Sequence, residues 1–182
     1  MAAVPSGAVE NKRAPRSLLT CVPVAPKDAS AAQTRIYICV VGDLWHYGHA
    51  NLCRSAREAY GGDNPHVIVG VCSDEDVGGY KRVPVMTALE RAKNASCCRF
   101  VDEVVVNCPF VLTEAFMDEM RIDYVVHGDD HSPASAQKYY AVALERDCYK
   151  TVPYTDGIST SDLIQRIQQR KNAAARKNPH GH

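Results

Sequence analysis

Two histidines three residues apart, in the run His46-Tyr47-Gly48-His49, stand where an apolar segment gives way to a helical pattern. Imidazoles at a helix start share that place with unpaired backbone N–H groups and the positive end of the helix dipole, an arrangement that binds phosphate. Paired histidines also serve as metal ligands or as a packed helix start, so the spacing alone leaves three readings open. Two further polar clusters, His127-Gly128-Asp129-Asp130 and Ile158-Ser159-Thr160-Ser161, follow predicted strands or open predicted helices. Ser159, Thr160 and Ser161 bring hydroxyls and N–H groups to a helix start, either as a plain cap or as a second anion nest. Asp129 and Asp130 suit a cation, whether a substrate's or magnesium, although acidic turns after strands are common.

Nucleotidyl transfer is chemistry that such a set can perform. A phosphate oxygen attacks the α-phosphorus of a nucleoside triphosphate and pyrophosphate leaves. A phosphomonoester nucleophile is already ionised at neutral pH, so no general base is required, and positioning with donors aimed at the phosphates can supply the catalysis. His46 and His49 suit that role as donors whose charge can rise near a polyanion.

These residues need elements to hold them. The run Ile36-Tyr37-Ile38-Cys39-Val40-Val41 reads as a buried strand, followed by a Gly-Asp turn and a helix over Tyr47 to Tyr60. Further strands are expected at Val67 to Val71, Val101 to Val106, Tyr124 to Val126 and Tyr149 to Pro153, and helices at Thr87 to Cys98, Thr113 to Met120, Ala134 to Arg146 and from Ser159 onward. Strands alternating with helices predict an α/β fold: a Rossmann-like, doubly wound parallel sheet whose ligands bind at the carboxyl ends of the strands, near the topological switch point. All three polar clusters then converge on one edge of a single domain spanning residues 35–167.

Residues 1–34, rich in Ala, Pro and Ser without a period, read as a disordered arm, and residues 168–182 as a basic polar tail. With 182 residues and 46% hydrophobic content there is room for one core. The 21 basic and 21 acidic residues cancel, so no bulk field draws the chain onto nucleic acid or an anionic membrane. Eight cysteines without paired CxxC spacing give no structural zinc pattern, and no dedicated metal site is expected. The absence of a signal-like or spanning apolar stretch points to a reducing cytoplasm. After Ile167 the tail offers only alanines to bury, so at most weak membrane association is expected.

In its motifs the chain resembles the cytidylyltransferase branch of the HxGH nucleotidyltransferase superfamily. Asp43-Leu44-Trp45-His46-Tyr47-Gly48-His49 is similar to the signature box, where Gly48 allows close approach of the α-phosphate. Val69-Gly70-Val71-Cys72-Ser73-Asp74-Glu75, Tyr80-Lys81, Glu90-Arg91, Val101-Asp102-Glu103-Val104-Val105, Cys108-Pro109-Phe110-Val111-Leu112-Thr113 and Gly157-Ile158-Ser159-Thr160-Ser161-Asp162 follow in family order. In this order the motifs resemble those of the eukaryotic choline-phosphate and ethanolamine-phosphate cytidylyltransferases. The resemblance implies a catalytic set of His46, His49, Lys81 and Arg91, with Lys81 bridging the phosphates of CTP and the phospho-alcohol. It implies CTP contacts from Val41, Gly42, Asp43, Gly48, His127 and Gly128, and from Thr155, Gly157, Ile158, Ser159, Thr160 and Ser161. Phe110, Asp129 and Tyr139 are the phospho-alcohol candidates. Mg2+ is expected to travel with the triphosphate, and a homodimer is implied.

The pattern also departs from the family. Gly42 stands where an aromatic residue is usual, and Tyr154 stands where an arginine normally contacts the CTP phosphates. Loss of that donor costs about 2 to 4 kcal/mol of transition-state stabilisation unless Lys150 or Arg82 substitutes, so a non-catalytic CTP-binding homologue is a second expectation. Choline asks for aromatic faces and a carboxylate, whereas a primary ammonium prefers directed acceptors. Phe110 and the Ser159 box look choline-like, and Tyr47 and His127-Gly128-Asp129-Asp130 look ethanolamine-like. Phosphocholine is the favoured acceptor and phosphoethanolamine the alternative.

Overall fold

The computed structural model describes residues 33–80 and 82–177. The predicted arm up to residue 32, Lys81 and residues 178–182 of the predicted tail lie outside the described residues. Among the described residues five strands and six helices follow one another, with two helices between β2 and β3: β1 (Thr34–Val40), α1 (Tyr47–Tyr60), β2 (Pro65–Cys72), α2 (Asp74–Tyr80), α3 (Ala88–Ser96), β3 (Glu103–Cys108), α4 (Glu114–Glu119), β4 (Tyr124–Gly128), α5 (Pro133–Glu145), β5 (Tyr149–Val152) and α6 (Thr160–Lys177).

The strands form one parallel sheet in the order β3-β2-β1-β4-β5. The chain winds outward from β1 through β2 and β3, then returns to add β4 and β5 on the other side. The switch point therefore falls between β1 and β4. Alternate strand residues serve opposite faces. Ile36, Ile38, Val67 and Val69 pack with Cys53 and Ala56 of α1 and Ala92 of α3, while Tyr37, Ile68 and Val105 pack with Phe116 and Met117 of α4 and Ala143 of α5. Burial on both faces explains why the strands read as continuous apolar runs.

The helix expected over Tyr47 to Tyr60 forms over those residues. Helix α2 was not expected from the pattern, because three leading acidic residues and two glycines give it no apolar period. It is held from outside: Ser73 Oγ accepts from the Asp76 N–H at 3.1 Å, and the Asp74 carboxylate accepts from the Ala88 N–H at 3.1 Å. β3 starts later than expected because Asp102 is spent as a clamp, accepting from the Val67 N–H at 2.8 Å and pairing with Arg57. The first part of the predicted tail is helical, since α6 runs on to Lys177. Gln, Arg, Lys and Ala are strong helix formers and sustain a helix without an apolar face. Among the described residues no helix is long and apolar enough to cross a membrane.

Candidate functional site

A cavity of about 780 Å³ opens at the carboxyl ends of β1 and β4, beside the starts of α1, α5 and α6. The turn after β1 brings Val41, Gly42 and Asp43 to its wall, and the start of α1 brings His46, Gly48 and His49. Gly42 has φ +70°, a left-handed conformation that a side chain with a Cβ adopts at a cost, and Leu44 follows at φ 49°.

His46 is the N-cap of α1, and its Nδ1 accepts from the Gly48 N–H at 3.2 Å. His49 closes a reciprocal capping box, its Nδ1 accepting from the His46 N–H at 3.3 Å. An Nδ1 that accepts from a backbone N–H carries no proton, so both imidazoles are assigned as Nε2–H tautomers. Burial lowers the pKa of His46, and burial followed by the charge of His46 lowers that of His49 to about 3. The rings, 4.0 Å apart, are therefore two neutral donors at a helix N-terminus. The structural reading of the pair as a helix cap and the anion-binding reading hold together: Nδ1 serves the cap and Nε2–H remains for the cavity.

Asp43 is 3% exposed, and its carboxylate accepts from the N–H groups of Val85 at 3.1 Å and Met86 at 3.0 Å. Its carbonyl accepts from Thr160 Oγ1 at 2.9 Å. Asp43 thus ties the β1–α1 turn to the segment before α3 and to the start of α6. Arg91 is fully buried and donates to the carbonyls of Val41, Cys72 and Met86 and to the Asp74 carboxylate. Arg91, expected in the catalytic set, does not itself line the cavity and holds the loops around it from beneath.

At the other end of the cavity, Ser159 Oγ donates to the Asp162 carboxylate at 2.7 Å and accepts from the Asp162 N–H at 3.1 Å, so it caps α6. Ser161 Oγ accepts from Arg82 Nη1 at 3.2 Å, which brings a guanidinium to the start of α6. Thr155, Ser159, Thr160 and Ser161 all line the cavity, as does Arg82.

The α5 side is aromatic. At Tyr140 the helix has non-helical angles (φ −130°, ψ 26°), and the Tyr139 carbonyl released from the helix ladder accepts from the Leu112 N–H at 2.9 Å. The kink presents Tyr139 edge-on to Phe110, centroids 5.0 Å apart, and sets Tyr140 5.6 Å from His131 and 6.0 Å from His127. Phe110, Tyr139, His127, Gly128 and Asp130 line the cavity. Asp129 does not: its carboxylate accepts from the Tyr154 N–H at 2.9 Å, and the neighbouring Asp130 takes the wall position expected of it. Gly157 and Ile158 also lie outside the wall, Gly157 at φ +81° in the turn before α6 and Ile158 buried. His131, Tyr140 and Arg82 join the wall beyond the expected CTP and phospho-alcohol sets. His131 follows Asp130 directly in the turn after β4, which was the available signal for it.

An open parallel sheet with the starts of α1, α5 and α6 beside one cavity at its switch point defines a nucleotide-binding type of α/β fold. Residues 42–166 match the cytidylyltransferase-like family, and the chain belongs to that family. The chain is 41% identical over 145 residues to choline-phosphate cytidylyltransferase A of Rattus norvegicus, covering 79% of this chain and 39% of that protein. It is 37% identical over 134 residues to ethanolamine-phosphate cytidylyltransferase of Dictyostelium discoideum, covering 73% of this chain and 36% of that protein. The chain thus spans well under half the length of these curated relatives. Among solved structures, the lipopolysaccharide core biosynthesis protein from Thermoplasma volcanium GSS1 shares the fold, with a TM-score of 0.56 at 17% identity over 70% of this chain and 100% of that one.

Proposed function

We propose that the chain transfers a cytidylyl group from CTP to phosphocholine, releasing pyrophosphate and giving CDP-choline. The observation that carries the reading is the His46–His49 capping box, which leaves two Nε2–H donors at the N-terminus of α1, across the cavity from the hydroxyls that open α6. In this reading the phosphate of the acceptor attacks the α-phosphorus in line, the α- and β-phosphates lie between α1 and α6, and the histidines donate to the charge that develops on them. Lys81 is assigned the bridging role between the two substrates. Arg82, held at Ser161, supplies the guanidinium that Tyr154 does not, while Lys150 is turned toward Asp147 at 3.5 Å.

Mg2+ belongs in this reading as a companion of the triphosphate. Among the described residues no carboxylate or histidine trio converges within ligand distance. The described cysteines are free thiols, which supports a reducing, cytoplasmic setting.

The choice of acceptor rests on the aromatic wall. Phe110, Tyr139 and Tyr140 offer faces, and Asp130 a carboxylate, to a quaternary ammonium that cannot donate hydrogen bonds. His127 and His131 add directed groups that favour phosphoethanolamine as the second reading. Pyrophosphate release from CTP with phosphocholine, phosphoethanolamine and glycerol 3-phosphate in parallel tests both. The expected order of kcat/KM is the order named. CTP binding without turnover on any of the three makes the chain a non-catalytic homologue.

A further inference from the structure

Three thiols from three strands meet at the floor of the cavity. Cys39 lies in β1, and Cys72 and Cys108 end β2 and β3. Cys39 Sγ is 3.5 Å from Cys72 Sγ and 3.8 Å from Cys108 Sγ, and the three sulfurs lie within 4.8 Å of one another. Sulfurs bound tetrahedrally to one Zn2+ at about 2.3 Å stand about 3.8 Å apart. The triangle is therefore close to the size that such an ion sets. Cys39 and Cys72 line the cavity while Cys108 is fully buried beneath them, so the cavity gives an ion a way in.

A separate observation points into the same triangle. The Tyr37 hydroxyl is fully buried and makes no well-formed hydrogen bond among the described residues, the groups within its reach being the thiols of Cys108 and Cys39. It passes over Gly70, where a Cβ would stand 2.2 Å from the hydroxyl oxygen, and its electrostatic neighbours are Cys108, Cys39 and Cys72. Thiols are weak acceptors, whereas a metal-bound thiolate is a strong one that outer hydrogen bonds orient. Packing alone asks only for three small apolar side chains here and leaves that O–H with weak thiol acceptors.

We propose that Cys39, Cys72 and Cys108 bind a thiophilic divalent cation of the Zn2+ class, with Tyr37 donating to one of the ligating sulfurs. Each sulfur binds as the thiolate and its proton leaves to solvent. Three thiolates and one divalent ion leave a single negative charge, and the adjoining cation is Arg91, which donates to the Cys72 carbonyl at 2.8 Å. The site does not depend on the cytidylyl-transfer reading. Its three ligands are 33 and 36 residues apart along the chain, which is why no local cysteine spacing announces it.

The reduced, metal-stripped full chain is titrated with Zn2+ against a chromophoric competitor, and with Co2+ as a spectroscopic stand-in. One tight equivalent is expected, with sulfur-to-cobalt charge-transfer absorption and the visible bands of a tetrahedral ion. Cys108→Ala and the size-conserving Cys39→Ser are each expected to weaken it by about 100-fold or more, while Cys53→Ala leaves it unchanged. Far-UV circular dichroism of the metal-free variants confirms that they fold. Failure of the parent chain to take up a tight equivalent overturns the site. So does an equivalent of undiminished affinity in both Cys108→Ala and Cys39→Ser, which moves the ion to other cysteines or histidines.

Discussion

The Thr160 hydroxyl donates to the Asp43 carbonyl at 2.9 Å, joining the turn after β1 to the first residue of α6 across 117 positions of sequence. Through the same residue, the Asp43 carboxylate fixes the Val85 and Met86 N–H groups. The separation between the starts of α1 and α6 beside the cavity is thus set by one residue and its three partners.

Thr160→Val removes that hydroxyl and keeps the volume. One net hydrogen bond of about 1 to 1.5 kcal/mol corresponds to roughly a tenfold loss in kcat/KM for CTP. Thr160→Ser should restore most of it. Steady-state kinetics of the two variants check this, and a Val variant with parent kinetics removes the link from any role in positioning.

His46→Ala and His49→Ala each delete one Nε2–H donor and one half of the capping box. Loss of the cap costs about 1 kcal/mol of stability, whereas loss of a positioned transition-state donor lowers kcat by about 100-fold or more. The two effects separate by comparing kcat with the urea midpoint. Near-parent turnover in both variants ends the nucleotidyl-transfer reading.

Much of this site was legible because its residues sit at element boundaries. An apolar run followed by Gly-Asp and then a polar helix start fixes where β1 ends, and two successive strand-helix units imply which ends converge. The exceptions share a physical cause. Arg91 on an amphipathic helix reads as a surface charge or a ligand donor, and only the fold shows three carbonyls and a carboxylate closing around it. Asp129 and Asp130 are adjacent and chemically identical, so nothing in their order tells which carboxylate is drawn to the Tyr154 N–H. The thiol triangle depends on strand order and register, which no short segment encodes.

Burial, then the charge of His46, lowers the pKa of His49 to about 3 in the fold, while an unfolded histidine titrates near about 6.5. Between those values the unfolded chain binds more protons, so stability rises with pH. The contribution is fully present above about pH 6.5 and is lost as pH falls toward about 3. Urea unfolding across that window should show this slope, and His49→Gln should flatten it. An equal slope in the variant assigns the acid sensitivity to other groups.

Arg91→Ala leaves the Val41, Cys72 and Met86 carbonyls and the Asp74 carboxylate without their donor. Breaking a buried charge network from one side costs about 3 kcal/mol or more, so a large fall in unfolding midpoint is expected. A direct phosphate contact predicts the opposite balance, with stability kept and KM for CTP raised. Calorimetry and kinetics on one preparation decide between them.

Arg82 and Tyr154 bear on whether the chain turns over at all. Tyr154 is 45% exposed at the cavity wall and brings no positive charge, while the Arg82 guanidinium meets Ser161 at 3.2 Å. If Arg82 replaces the missing phosphate donor, Arg82→Ala lowers kcat by roughly 10- to 100-fold, the scale of one charge-assisted donor. Arg82→Lys recovers only part, because an ammonium cannot match the planar fork. Tyr154→Arg in the Arg82→Ala background then restores turnover, since the second guanidinium enters from the segment after β5 with its backbone already held by Asp129. An Arg82→Ala variant with parent kcat, paired with a Tyr154→Arg single variant that gains activity, shows instead that the parent chain works without any guanidinium at this position.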